Sequence, residues 1–172
     1  MSVCISGGDV WAENTVKLTS DTVYNVIGEI PASIEMNGHN IISNVMLNAD
    51  NAGLSIIGTD MENLTINGEG LQFAVAAQSS SNAKVLISNV KKVDITGNVI
   101  NDSLLHSNIN GAIIFDKVGL FNITTEKSIG LHAQGGLIYI DADAVSIKSK
   151  DENAIWAQLS NCSGDYPSDV KN

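Results

Sequence analysis

Apolar and polar residues alternate along this chain in short runs that return at long, nearly regular intervals. Ile34-Glu35-Met36-Asn37-Gly38 is followed by Leu64-Thr65-Ile66-Asn67-Gly68, Val93-Asp94-Ile95-Thr96-Gly97, Phe121-Asn122-Ile123-Thr124 and Val145-Ser146-Ile147-Lys148, at steps of 30, 29, 28 and 24 residues. Period-two alternation marks a strand with one buried face. Lateral stacking of the copies predicts one interior column of Ile34, Leu64, Val93, Phe121 and Val145 and a second of Met36, Ile66, Ile95, Ile123 and Ile147. The outer column between them, Glu35, Thr65, Asp94, Asn122 and Ser146, is polar.

Two further strand types recur in the same order. The second contains Val45 to Asn48, Val75 to Gln78, Ser103 to His106, Leu131 to Gln134 and Ile155 to Gln158, and its last positions predict a ladder of Asn48, Gln78, His106, Gln134 and Gln158. Stacked amides at the strand spacing can hydrogen-bond along the stack. The third contains Ser55 to Ile57, Val85 to Ile87, Ile113 to Phe115 and Ile138 to Ile140. Gly, Asn, Asp and Ser separate the runs, and no window sustains the i, i+3, i+4, i+7 apolar spacing of a helix. A β-sandwich also has short alternating strands, but nothing in it demands three strand types in fixed order at a long period. The expected fold is all-β: a single-stranded parallel β-helix, or β-solenoid, with three strands per coil and five to six coils of 24 to 30 residues. Residues 1–20 are expected to cap its N-terminal end, 21–160 to form the β-helix, and 161–172 to form a C-terminal cap or tail, because open coil ends expose unpaired backbone groups.

Composition narrows the partners. Nine lysines, no arginine and a net charge of −10 disfavour grip on phosphates, so neither nucleic acid nor an anionic membrane is an expected partner. No apolar run reaches the length of a membrane span, and no basic segment with an apolar core opens the chain. The two cysteines, Cys4 and Cys162, lie near opposite ends, and several stacked coils between them would exceed disulfide reach within one molecule.

The stretch from Asp21-Thr22-Val23-Tyr24-Asn25 through Glu29-Ile30-Pro31-Ala32 into Ile34-Glu35-Met36-Asn37-Gly38-His39-Asn40-Ile41 resembles the first coils of right-handed parallel β-helix proteins of the pectate-lyase-like superfamily. Bacterial surface proteins and phage tail spikes of that group share the strand, the Ile-Pro and the Asn-Gly-His turn. The resemblance covers about residues 15–160 and implies the fold. Its enzymes that cleave pectate use an arginine base, which this chain lacks, and those that hydrolyse polygalacturonate use a Gly-His-Gly, of which only Gly38-His39-Asn40 is an incomplete match.

Candidate chemistry rests on carboxylates. Asp116 and Asp141 follow the third strand in successive coils, about one strand spacing apart, where they could share a proton or, with Asp143, hold calcium. Glu69 and Glu126 occupy equivalent turns two coils apart, near the separation of an inverting glycosidase pair. Solvated turn residues at coil corners of an acidic chain explain all of these more simply. His39, His106 and His132 lack a second histidine or cysteine at the usual ligand spacing along the chain, so no transition-metal site and no cofactor is expected. Alternation on the third strand predicts an outward apolar row of Ile56, Leu86, Ile114 and Tyr139, seconded by Trp156. Such rows mark an interface or a covering segment.

The expected role is therefore a non-catalytic surface, adhesin or tail-spike-type module. It would be secreted, at a cell surface or on a virion, and would form a homo-oligomer such as a trimer or bind glycans. A small carbohydrate-active enzyme, or an acidic interaction or inhibitor protein inside the cell, are the alternatives.

Overall fold

The structure, a computed structural model, describes residues 15–49, 53–78 and 83–158. Cys4, Cys162 and the expected C-terminal cap lie outside the described residues, as does most of the N-terminal cap. The strands are, in chain order, β1 (Thr15–Lys17), β2 (Thr22–Tyr24), β3 (Ser33–Glu35), β4 (Ile41–Ser43), β5 (Leu47–Asn48), β6 (Leu54–Ile57), β7 (Asn63–Asn67), β8 (Val75–Ala77), β9 (Lys84–Thr96), β10 (Ser103–Asn108), β11 (Ala112–Thr125), β12 (Ile129–Gln134), β13 (Leu137–Ser149) and β14 (Ile155–Gln158). They pair in parallel, there is no helix among the described residues, and the whole is a β-solenoid of about 5 turns. Among the described residues no helix is long and apolar enough to cross a membrane.

Each turn has three faces. The first stacks β1, β3, β6 and the leading halves of β9, β11 and β13. The second stacks β2, β4, β7 and the trailing halves of the same three long strands, which run round the corner without a break. The third stacks β5, β8, β10, β12 and β14. The core fills the space the three faces enclose, with Ile34, Ile56, Ile87 and Phe115 from the first face, Ile41, Leu64, Val93 and Phe121 from the second, and Leu47, Val75 and Leu105 from the third.

The interior columns from Leu64 to Phe121 and from Ile66 to Ile147 stack as the alternation predicts, and Val145 continues the first in register but is 51% exposed; the first copy does not belong to them. Ile34 pairs with Ile56 on the first face, and it is Ile41 that pairs with Leu64, with Ser43 beneath Ile66. Two things hide this register. Asn37-Gly38 resembles Asn67-Gly68, and the true partner strand carries the polar Ser43 at an interior position. Ser43 is fully buried and its hydroxyl donates to the Val45 carbonyl at 2.7 Å, so an interior serine is tolerated without a hydrogen-bond acceptor from a neighbouring coil. Glu35 consequently leaves the predicted polar column and pairs with Ile57.

Corners are tied by side chains that reach one coil up or down. Asn40 donates its backbone N–H and its amide to the two oxygens of Asp21, at 2.8 and 3.2 Å, and accepts from the Asn63 N–H at 2.8 Å. Asp94 accepts from Lys92 at 2.9 Å and from Asn122 at 2.7 Å. Burial alone would raise the Asp94 carboxyl, but these two partners outweigh it and hold the group below its usual range. The ladders satisfy polar groups that the narrow coil cannot satisfy within one turn.

Coil-on-coil contact also demands missing side chains. A Cβ on Gly119 would stand 2.6 Å from the Lys91 carbonyl oxygen of the coil below, a backbone atom fixed by its own rung. Gly119→Ala is expected to destabilise the fold by about 2 kcal/mol through overpacking, read as a lower urea midpoint. A midpoint equal to that of the parent would show that the rungs can separate locally.

Candidate functional site: a histidine column on the third face

The carboxylates singled out by the sequence fall at corners. Glu69 accepts from the backbone N–H and the amide of Asn98 at 2.8 and 3.3 Å, and the Asn98 amide oxygen accepts from the N–H of Glu126 at 3.1 Å. An asparagine from the intervening coil thus bridges the two glutamates. Asp141 and Asp143 line a depression of about 280 Å³ together with Asp60, Asn89 and Lys117, while Asp116 is absent from its lining. Lys117 is the extra residue where the pairing of β11 slips between Phe115 and Val118, and its φ of 55° is left-handed. Asp116, Asp141 and Asp143 do not converge on a common ion position among the described residues.

The predicted apolar row is partly revised. Ile56 is fully buried in the interior column, because β6 pairs Ile34 with Ile56 and Ile56 with Ile87. The outward position on that rung belongs to Ser55, which pairs with Leu86. Above it Leu86, Ile114 and Tyr139 stack in register, the first two half-buried and Tyr139 48% exposed, with Leu137 beside them 51% exposed.

The ladder expected on the third face also changes. In register, His106 stands on Ala76, His132 on His106 and Trp156 on His132, while Gln134 pairs with Asn108 and Gln158. His106 therefore belongs to an aromatic column and not to the amide ladder, which runs two residues further along through Asn108, Gln134 and Gln158, while Asn48, on Ala76, falls in the His106 column instead. Val75 and Leu105 beside these residues join the core, so period-two alternation directs Ala76, His106, His132 and Trp156 away from it. They are nevertheless enclosed: His106 and His132 are 6% and 3% exposed.

Rings and one carboxylate build this enclosure. Phe73 stacks on His106 with centroids 4.6 Å apart, His132 meets His106 edge-on at 5.0 Å, and Trp156 lies nearly parallel to His132 at 4.9 Å. Asp102, in the turn that enters β10, sends Oδ2 to His132 Nδ1 at 2.7 Å and Oδ1 to within 3.7 Å of His106 Nδ1. The Ser103 hydroxyl donates to Asp102 at 3.0 Å and lies 3.4 Å from His106 Nδ1. Burial lowers the His106 pKa, Asp102 opposes that shift, and His132 adds to it, so the ring favours the neutral form. A neutral imidazole can accept a proton, donate one, or ligate a metal.

Spacing along the chain conceals this group. His106 and His132 are 26 residues apart, which is one coil, and Asp102 precedes His106 by four. Ligand motifs built for helices and loops do not include a separation equal to a solenoid turn. The usable signal was the coil period itself, applied to histidines as it was applied to isoleucines. Trp156, expected at an interface, is here the lid of the column, 44% exposed on its other side. No family model, no curated protein and no solved structure matches this chain.

Proposed function

We propose that the chain is a non-catalytic β-helix module of the adhesin or tail-spike type, working at a cell or virus surface by binding or assembly. The observation that carries this reading is the outward row of Leu86, Ile114 and Tyr139, with Leu137 beside it, on a solenoid whose neighbouring face presents Thr65, Asp94, Asn122 and Ser146 at the outward positions. A straight apolar row on a regular stack of strands matches the same row on another copy, and removal of such a surface from water drives association. Side-by-side pairing of copies is the assembly this reading entails, with a glycan as the second class of ligand. The bridging of Glu69 and Glu126 by Asn98 supports a structural role for that pair over an acid and base role.

Sedimentation equilibrium of the full chain is expected to give a mass of two or three copies, and Ile114→Asp with Tyr139→Asp to give a monomer with an unchanged circular dichroism spectrum. A parent protein that stays monomeric at high concentration and binds nothing on a glycan array would overturn the reading. Turnover of a glycan that Asp141→Asn abolishes would replace it with a small carbohydrate-active enzyme.

A further inference from the structure

The donor atoms of Asp102, His106 and His132 lie within 4.8 Å of one another, and no other such group of three occurs among the described residues. From this geometry we infer that the cluster binds a divalent transition-metal ion, of which Zn²⁺ is the type, clipping the coil of β10 to the coil of β12. This is independent of the assembly reading above.

Distances fit such an ion. Bonds of about 2.0 to 2.2 Å set neighbouring ligand atoms about 3 to 3.5 Å apart. Asp102 stands at 2.7 Å from one imidazole nitrogen and 3.7 Å from the other, so small opposite movements bring both into range. Two imidazoles and one carboxylate favour zinc, copper, nickel or iron over calcium and magnesium, which prefer all-oxygen shells.

His132 supplies the second observation. Its ring is buried, Nδ1 meets Asp102, and Nε2 is buried with no hydrogen-bond partner. A histidine fixed for structure alone would have both nitrogens answered. With an ion bound, the neutral ring would carry its one proton on Nε2, where no existing hydrogen bond is lost, and Nδ1 would turn its lone pair to the cation in exchange for its contact with Asp102. The ion then occupies the place of the proton between ring and carboxylate. Phe73 and Trp156 wall the group above and below, while the Asp102 side chain, 41% exposed, leaves an entrance from solvent.

The test uses the full tag-free chain carrying Cys4→Ser and Cys162→Ser, so that thiols cannot contribute ligands. Titration with Co²⁺ is expected to give a visible absorption band saturating at one ion per chain. Zn²⁺ is expected to displace that band and to raise the melting temperature, with Ca²⁺ and Mg²⁺ doing neither. Asp102→Asn, at the exposed member of the trio, is expected to weaken binding about 100-fold while leaving the metal-free circular dichroism spectrum unchanged. His106→Gln gives a second ligand-deletion readout should Asp102→Asn disturb the fold. A folded parent protein that shows neither the Co²⁺ band nor a Zn²⁺-dependent melting shift overturns the inference. So does a band of undiminished affinity in the folded variants.

Discussion

Phe115→Ala is expected to destabilise the protein by about 4 kcal/mol, the range for deleting a buried aromatic ring from a packed core. The ring has no exposed surface and meets Phe121 edge-on, with centroids 4.6 Å apart and planes at 61°. It stands in the interior column between Ile87 below and Ile140 above. In a globular core, neighbours from many directions can collapse into the space. In a solenoid each rung is held by the rungs on either side, and β11 is bonded to β9 and β13 over most of its length, so relaxation is restricted. The loss falls at one level of a stack whose stability is close to a sum of nearest-neighbour terms. The urea transition followed by circular dichroism should therefore move to a lower midpoint and also broaden, as the turns on either side of β11 cease to melt together. Phe121→Ala should behave alike, and the double variant should lose less than the two single losses combined, since the ring pair is broken only once. A loss under about 1 kcal/mol for Phe115→Ala would contradict the enclosed core, because even a single buried methylene is worth nearly that much.

Glu62 is expected to dominate the acid sensitivity of the fold. Its side chain is buried, and it reaches back one coil to the Asn-Gly-His turn. One oxygen accepts from the Gly38 N–H at 2.6 Å and the Thr59 hydroxyl at 2.8 Å, and the other from the N–H groups of Thr59 and Met61 at 2.7 and 3.1 Å. Burial by itself would raise the carboxyl pKa. The donors, led by the Thr59 and Gly38 N–H groups, override it and lower it from 4.5 to about 2. A folded value below the unfolded one means that the unfolded chain takes up the proton first as pH falls. The stabilisation is thus complete above pH 4.5 and is lost progressively as pH falls toward about 2. A shift of that size corresponds to about 3 kcal/mol. Glu62→Gln should remove that amount at neutral pH, since one amide oxygen cannot accept from four donors and its NH₂ faces N–H groups. The gap between parent and variant, measured by urea unfolding across pH, should stay constant above pH 5, narrow below 4.5 and close only as pH falls to about 2. A gap independent of pH would show that the carboxylate charge is not what holds the turn.

The three faces, their order and most of the interior were legible because the strands alternate strictly and the coils from Leu64 onward differ little in length. Leu64, Val93, Phe121 and Val145 could be stacked from spacing alone. The first rung escaped, because Ile34-Glu35-Met36 and Ile41-Ile42-Ser43 are both short and alternating, and the turn that seemed to identify the first belongs to a shorter coil. The expected exterior position of Ile56 fails for a related reason. Period two fixes which residues share a face of a strand but not which face is inward, and a one-residue slip exchanges them. Glu62 leaves little trace in the sequence, since three of its four donors are backbone N–H groups, which nearly every residue type carries. The histidine column is invisible to ligand spacing read along the chain, because its members are one coil apart in sequence and neighbours only through the stack.

Strand lengths decide how this molecule would carry a mechanical load. Hydrogen bonds between successive rungs run along the solenoid axis, so a pull applied at its two ends passes through every interface in series. Strength is then set by the weakest interface and not by their sum. β1 and β2 contribute three residues each to the first interfaces, whereas β9 and β13 run for thirteen and β11 for fourteen. Tension would peel the N-terminal turns away first and leave the long-stranded turns, with the histidine column among them, as the last to part.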